Sequence, residues 1–514
     1  MKKITSILIL FVLVCLGGCK IRKDLNIDEQ ELRGLGKPQV DRINPQGIIY
    51  NNIGFILTVF GDFSVNDEYV LYVNKKKFGI SRPNYWRYRI SWEIPDSFLR
   101  NIVNSAGSSD TQVEVRVSSI VNYDISEYFE KYRDYVSDVK ILQIKRNQTD
   151  FSVPVRLFNE WNHSLAPVLR IDNKGYVYLA WRELIGENWQ AMFCFSQDGG
   201  LTWSQVLNIS RSAKSIGIMD MDVDEQGHFY MVWAEGDIGS HNVFFSRSLD
   251  FGATWYNPLQ ISKDPGDTMI PRIEVDVQGK IYLFWSYFLP DGSNYLQNVI
   301  LMMSTDQGDN WDEVLLKESD DSVGHPAVKS GEDGTVYFIC GGYDGIECFY
   351  SKDAGIRWQV NRTGIEGNFW KSMNTSLVID ENNTLFLVWN TEDYLGHNPN
   401  SWIHFANGTE GGAYWSNFQQ IDSVCNTSGG SAGIVVNAGH INMVLQSPSS
   451  LFLLQSVDEG KTWSFPEFIP GTEEPVAPTM VMDKTGKIYL VYVGDYSRSQ
   501  NIGGLKLITW QSNN

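Results

Sequence analysis

A short pattern, Ser-x-Asp-x-Gly-x-Thr-Trp, recurs through the later part of this 514-residue chain. Five copies are clear: Ser196–Trp203, Ser248–Trp255, Ser304–Trp311, Ser351–Trp358 and Ser456–Trp463. A sixth, Gly408–Trp415, keeps the acid (Glu410), the second glycine (Gly412) and the tryptophan. The copies come roughly every fifty residues, and self-similarity at such a period marks a fold built from repeated supersecondary units. Each copy follows a short apolar strand and precedes another, which places it in a hairpin turn. There Asp and Ser accept bonds from nearby backbone N–H groups, Gly takes a positive φ without strain, and Trp anchors the turn on the sheet. Six equivalent turns would not carry six equivalent catalytic acids, so the repeated Asp residues read as structural.

A second repeat precedes the first. Asp172…Gly175, Asp224…Gly227, Asp276…Gly279, Gly334, Asp380…Asn383, Gly439 and Asp483…Gly486 each open an alternating run. The run's last apolar residue falls six places on, at Trp181, Trp233, Trp285, Cys340, Trp389, Leu445 and Tyr492. Asp-x-x-Gly between β-rich runs predicts a hairpin. Seven hairpins stand against six boxes, because the chain stops after Trp510 before a seventh box. Phe151–Leu157 has the pattern of the segments that follow the boxes, such as Tyr256–Ile261 and Ser464–Ile469, and is expected to supply the missing outer strand. A ring closed in this way protects its sheet edges. The Ser-x-Asp-x-Gly-x-Thr-Trp copies resemble the Asp-box (BNR) repeat of the sialidase-like β-propellers, over about residues 151–510. The resemblance implies an all-β β-propeller with the boxes on the rim, away from the active site. The hairpin count favours seven blades, with the six usual in sialidases as the alternative.

Residues 1–18 read as a secretory leader, with Lys2 and Lys3 ahead of the apolar run Ile4–Leu16. Leu16-Gly17-Gly18-Cys19 resembles a bacterial lipobox, which implies cleavage before Cys19, acylation of that cysteine and attachment to the membrane through the lipid. Lys20 favours the outer membrane or the cell surface. Residues 19–37 are polar and charged, as a tether would be. Residues 38–146 carry alternating runs separated by turn residues, expected to form a small β-sandwich. Their order resembles the immunoglobulin-like IPT/TIG domain, with a helical insertion expected over Tyr123–Val136 and a last strand over Val139–Ile144.

The formal charge is −19, and becomes −21 once Lys2 and Lys3 leave with the leader. Such an acidic surface disfavours nucleic acid and anionic membranes as partners. Cys194, Cys340, Cys348 and Cys425 would remain beside Cys19, with no Cys-x-x-Cys and only scattered His, so no metal site or cofactor is expected. Cys340 and Cys348 flank one hairpin, leaving a disulfide or two buried thiols as alternatives.

Ligands of such rings meet the face formed by loops that lead into the inner strands and loops that join the next two. Candidate ligand-binding residues there are Arg182, Arg211, Arg362, Trp370, Tyr394, Trp402 and Arg498, the arginines being able to converge. Asp237, Asp393, Asp495 and Tyr496 are the candidate catalytic groups. Aromatics mixed with carboxylates and arginine suit sugars, whose apolar faces stack while their hydroxyls bond polar groups. The sialidase Arg-Ile-Pro stretch is missing: the first inner strand reads Ala166-Pro167, and Ile270-Pro271-Arg272 has another order. Tyr496-Ser497 before Ile502-Gly503 only echoes the family's nucleophile region and lies in a different loop. The expected function is therefore carbohydrate binding, with a partner that is a glycan or an envelope protein. A glycoside hydrolase of the sialidase superfamily, a polysaccharide lyase and a non-enzymatic protein scaffold are the alternatives.

Overall fold

The computed structural model describes residues 7–10, 39–44, 47–50, 55–62, 68–73, 76–81, 89–94, 110–119, 136–137 and 140–146. From residue 149 onward it describes all but 159–162, 238, 264–266, 291–294, 320–325, 343–344, 363–374, 394–399, 422–431, 448–449, 465, 473, 498–501 and 513–514. The chain divides into two units, Met1–Gln148 with Phe465–Pro470, and Thr149–Ser464 with Gly471–Asn514. No α-helix occurs among the described residues.

The second unit is a seven-bladed β-propeller, which overturns the six-bladed alternative. Blade 1 runs through Ser164–Ile171, Val177–Ile185, Asn188–Ser196 and Leu207–Asn208, named here inner, second, third and outer strands. Blade 2 uses Ile216–Val223, Phe229–Glu235, Asn242–Ser248 and Leu259–Gln260, and blade 3 uses Asp267–Val275, Ile281–Pro290, Tyr295–Ser304 and Asp312–Ser319. Blade 4 is Ala327–Ser330, Val336–Gly342, Gly345–Ser351 and Gln359–Arg362; blade 5 is Thr375–Ile379, Leu385–Asp393, Asn400–Thr409 and Tyr414–Gln420. Blade 6 contributes Ala432–Asn437, His440–Gln446 and Leu451–Ser456. Blade 7 comprises Val476–Met482, Lys487–Ser497 and Ile502–Gln511, and its outer strand is Val155–Arg156.

That last pairing closes the ring as the sequence predicts. Val155 pairs antiparallel with Leu507 and Arg156 with Lys506. Backbone bonds from Ser152 N to Thr509 O (2.9 Å) and from Leu157 N to Leu505 O (3.0 Å) extend the seam, and Phe151 packs edge-on against Trp510.

The hydrophobic core lies between the blades. Blades 7 and 1 share one buried cluster around Trp181 and Val491, blades 1 and 2 another around Phe193 and Trp233. Similar clusters join blades 2 and 3, 3 and 4, 4 and 5, and 5 and 6. The boxes fasten these junctions. In the first, Ser196 Oγ donates to Asp198 Oδ1 (2.8 Å) and accepts from Gly200 N (2.8 Å), while Asp198 accepts from Thr202 N (2.9 Å) and Thr202 Oγ1 (2.6 Å). The boxes at Asp250, Asp306, Asp353 and Asp458 repeat the bonds to Ser and to the backbone. The turn then presents a left-handed glycine to the preceding blade. A Cβ on Gly252 would sit 2.5 Å from Phe193, one on Gly308 2.6 Å from Phe245, and one on Gly460 2.2 Å from Phe405. Gly200 meets Leu507 of blade 7 in the same way, at 2.6 Å, so the clamp crosses the ring closure. The box tryptophans complete it edge-on: Trp255 against Phe193, Trp311 against Phe245 and Trp463 against Phe405.

At the Asp-x-x-Gly turns, Asp172 accepts from Lys174 N and Tyr176 N (2.9 Å each) and from the Tyr178 hydroxyl (2.8 Å). Asp224, Asp276 and Asp483 hold Tyr230, Tyr282 and Tyr489 likewise. Inner strands of blades 1, 3 and 7 carry a bulge at an X-Pro pair, with Ala166, Ile270 and Ala477 at positive φ. Proline fits there because a bulge needs no ladder N–H. Cys340 and Cys348 are buried and not joined in a disulfide. Their registers explain why: Cys348 faces Ile339 and Cys340 faces Glu347, so the two thiols point to opposite sides of blade 4, one toward blade 3 and one toward blade 5. Cys194 is also buried, and Cys425 lies outside the described residues.

The first unit is all-β where described. Phe55–Asp62 sits between Gln39–Asn44 and Arg89–Ile94 in one sheet. A second sheet holds Gly47–Tyr50, Lys140–Arg146, Asp110–Ser119, Glu68–Val73 and Lys76–Ser81. Ile7–Leu10, within the expected leader, is extended alongside that second sheet. The expected last strand is Lys140–Arg146. Cys19, the 20–37 tether and most of the expected helical insertion lie outside the described residues.

Replacing Gly460 (φ +84°, Cβ 2.2 Å from Phe405) by Ala tests the clamp against Gly279→Ala, where φ is +80° and no atom lies within 4 Å. Urea unfolding is expected to show a loss of about 1 kcal/mol for the second and about 2–4 kcal/mol for the first; equal losses would remove the clamp. A pH series of midpoints should show two steps. His404, packed against both Trp389 and Phe418, is pushed by burial from 6.5 to about 4. The unfolded chain therefore takes up this proton first, so stability present above pH 6.5 is lost as pH falls toward 4. Hydrogen bonds from Thr202, Asn310 and Thr462 hold Asp198, Asp306 and Asp458 near 2 against an ordinary 3.8, and their share disappears as pH falls from 3.8 through 2. His404→Phe should remove the upper step alone.

Candidate functional site

Antiparallel pairing sorts the loops onto two faces. Inner strand Ser164–Ile171 runs opposite to Val177–Ile185, which runs opposite to Asn188–Ser196. The Asp-x-x-Gly hairpins and the boxes therefore share one face. Loops leading into the inner strands and loops joining second to third strands share the other, where a ligand can reach the channel without crossing box turns.

Backbone strain that the repeats do not dictate falls on that second face. Positive φ at non-glycine residues occurs at box tips (Phe251, Gln307, Ala354, Glu410, Glu459), at hairpin turns (Asn383, Ala438) and at the bulges, all dictated by the repeats. Three cases remain: Arg211 (φ 45°), Glu474 (φ 42°) and Asp495 (φ 54°), the last at an irregularity between blade 7's second and third strands that the same pairing in the other blades does not show. All three lie on the loop face, in blade 7 or next to it and in the loop between blades 1 and 2. Strain outside the repeat pattern marks positions shaped for something other than the fold.

The side chains there are organised around Gln190, which is buried at the start of blade 1's third strand. Its amide nitrogen donates to Ser212 O (3.0 Å), and its oxygen accepts from Ser210 Oγ (2.9 Å) and Ser212 N (2.9 Å). This fixes the loop that carries Arg211 and Lys214. Arg211 turns back to Asn208 O at 3.2 Å and stays exposed. Lys214 pairs with Asp237 at 2.8 Å, and the bond holds the Asp237 carboxyl below its usual range. Glu235 accepts from Trp233 Nε1 (2.9 Å) and from Ser212 Oγ. Asp495 accepts from Lys506 at 2.8 Å. Arg182, on blade 1's second strand, lies 5.6 Å from the Trp189 ring centroid, and burial lowers its pKa.

Blades 7, 1 and 2 are consecutive around the closed ring, so Arg182, Arg211, Asp237 and Asp495 belong to one sector of the loop face. Arg362 ends the outer strand of blade 4, paired with Glu347, in a different sector. Asp393 and Trp402 lie at the far ends of blade 5's second and third strands, and Tyr496 near the end of blade 7's second strand; the side chains of these three and of Arg362 are not among those described. Trp370, Tyr394 and Arg498 lie outside the described residues.

A second charged group, not among the candidates named from the sequence, lines the inner strands of blades 1 to 4. Arg170 donates to Asp220 (2.9 Å) and Asp222 (3.2 Å) of blade 2. Those carboxylates also accept from Ile273 N (3.3 Å) and Val275 N (2.8 Å) of blade 3. Glu274 of blade 3 accepts from Ser330 N (2.8 Å) and pairs with Lys329 of blade 4. Arg272 donates to the carbonyls of Pro271 and Pro326, both at 3.2 Å. Each carboxylate caps backbone of the next blade, so this ladder ties inner strands together and is charge-balanced within itself. Sequence signalled it only as a charged residue at alternate inner-strand positions, a pattern that a solvated strand shares. Among the described residues, no group of three or more His, Cys, Asp or Glu is placed to hold a metal ion.

Residues 147–338 match the family model of the BNR repeat-like domain. No curated protein matches the chain significantly. Among solved structures, a protein of unknown function from Dyadobacter fermentans aligns at 13% identity, covering 71% of this chain and 99% of its own, with a TM-score of 0.46. The α-L-arabinofuranosidase of Fusarium graminearum in complex with arabinobiose aligns at 12% identity, covering 71% and 98%, TM-score 0.46. An intramolecular trans-sialidase from Ruminococcus gnavus aligns at 12%, covering 71% and 97%, TM-score 0.39. Similarity at this level assigns no substrate.

Asp222→Asn tests the inner ladder. It leaves Asp220 as the one carboxylate bonded to Arg170 and weakens the bond from Val275 N, so a loss of about 3 kcal/mol in urea unfolding is expected. A change below about 0.5 kcal/mol would show that the ladder does not hold the blades.

Proposed function

We propose that the propeller binds carbohydrate on its loop face, in the sector of blades 7, 1 and 2, and that it does so without turnover. The observation that carries this reading is Trp189, half-buried at the loop end of blade 1's third strand, with Arg182 beside its ring. An indole flanked by charged and amide groups is what a pyranose needs, one apolar face to stack and a rim of hydroxyls to bond. Binding is favoured over hydrolysis by the state of the carboxylates. Asp237 and Asp495 each hold a lysine, and Glu235 holds an indole N–H and a serine hydroxyl. Glycoside hydrolysis needs two carboxyl groups set across the substrate, one available as an acid and the other as nucleophile or base.

In this reading the chain is an exported lipoprotein. The leader-like residues 1–18 and the lipobox-like Cys19 support a lipid anchor, and the strands of the first unit suit an IPT/TIG-like sandwich serving as a spacer. The acidic overall charge supports a glycan or an envelope protein as partner rather than nucleic acid. The same reading leaves the box face free of ligand, since its acids are consumed by turn bonds.

A glycan array with the full chain in detergent is the direct test. Retention of a saccharide family is expected, with Trp189→Ala weakening it about tenfold or more, as loss of a stacked aromatic does. Absence of any retained saccharide would replace this reading by the protein scaffold, and release of reducing ends from a retained glycan would convert it into a hydrolase.

A further inference from the structure

Comparing the seven blades at one register position separates what the fold needs from what it does not. Seven residues after the hairpin glycine or asparagine, the second strands carry Ala234, Ser286, Gly341, Asn390, Gln446 and Val493 in blades 2 to 7. Blade 1 alone has an arginine there, Arg182. Uncharged side chains, from Gly341 to Gln446, occupy the position in the other six blades, so the guanidinium answers no requirement of the repeat.

Among the described residues it also has no counter-charge. Its Nε is buried with no hydrogen-bond partner. Glu183, next in the strand, points to the other side and accepts from Trp181 Nε1 at 2.8 Å. Burial is the sole cause of the lowered Arg182 pKa, with no carboxylate offsetting it. Lys214, Lys329 and Lys506 each have a carboxylate partner, whereas half-buried Arg182 has none among the described residues. Its guanidinium lies 5.6 Å from the Trp189 ring centroid, and Trp189 is pinned in turn by a bond from its backbone N to Ser215 Oγ at 3.2 Å.

A buried cation without a partner costs free energy unless something anionic completes it. We propose that Arg182 is the subsite for an anionic substituent on the bound saccharide, a carboxylate or a sulfate ester, with the sugar ring carried by Trp189. This rests on the carbohydrate reading above and narrows its ligand class. A planar guanidinium suits either oxyanion through paired N–H donors.

Titration calorimetry of the full chain in detergent tests it with three probes of equal length: a uronate oligosaccharide, a sulfated oligosaccharide and a neutral one. Wild type is expected to bind one anionic probe about tenfold or more tightly than the neutral one, with affinity falling as salt rises. Whichever anionic probe binds identifies the substituent. Arg182→Ala, which blade 2 already accommodates as Ala234, should keep the melting temperature and abolish the preference, while Arg182→Lys should restore part of it. Equal binding of neutral and anionic probes, or an unchanged preference in Arg182→Ala, would overturn this inference and leave carbohydrate binding standing. No binding of any of the probes, together with an empty array, would overturn both.

Discussion

A blade of this propeller cannot bury its own faces, and the contact that resolves this is the box glycine lying on the third strand of the blade before. Gly252 against Phe193, Gly308 against Phe245 and Gly460 against Phe405 leave no room for a β-carbon. The serine and aspartate of each box exist to hold that glycine in its left-handed conformation at the right height. Once it is set, the box tryptophan can turn edge-on into the same junction, and the interblade cluster closes over it. The stability of each sheet thus resides largely in its neighbours. Gly200 over Leu507 shows that the closure seam is held by the same device as the others, although its outer strand comes from the opposite end of the propeller.

Much of this was legible because repetition makes turn chemistry visible. One Ser-x-Asp-x-Gly-x-Thr-Trp is an ordinary turn, whereas six copies set against seven Asp-x-x-Gly hairpins fix both the number of blades and the origin of the closing strand. Val155–Arg156 is only two residues long, and it was legible because Phe151–Leu157 has the pattern of the segments after the boxes and the hairpins outnumber the boxes by one. The buried thiols were less legible. Cys340 and Cys348 flank one hairpin, a spacing open to a disulfide or to two thiols, and only the strand register, which offsets them by one residue, sends them to opposite faces.

The site was legible to a smaller degree, and for a physical reason. Topology assigned the loop face, and Arg182, Arg211, Asp237 and Asp495 fall in one sector of it. It could not say that Lys214 and Lys506 already occupy two of the carboxylates, because ion pairing across 11 or 23 residues depends on loop conformation. Nor did it reveal the inner ladder of Arg170, Asp220, Asp222, Glu274 and Lys329. A charged residue at every second strand position reads as solvent-facing, and here it faces the next blade instead.

Repeats offer an internal control that a single-copy fold lacks, since each position is occupied seven times under nearly the same structural demand. Departures common to several blades, such as the X-Pro bulges at Ala166, Ile270 and Ala477, belong to the architecture. Departures confined to one blade have no such explanation. Arg182 is of this kind, and so are the strained backbones of Arg211, Glu474 and Asp495. None of these improves a junction, and each costs free energy in the isolated chain, the arginine through burial and the others through conformation. Their common location on the loop face, in three consecutive blades and opposite the boxes, is what a binding surface grafted onto an otherwise regular ring would leave. The six boxes, for all their prominence in the sequence, are the regular part.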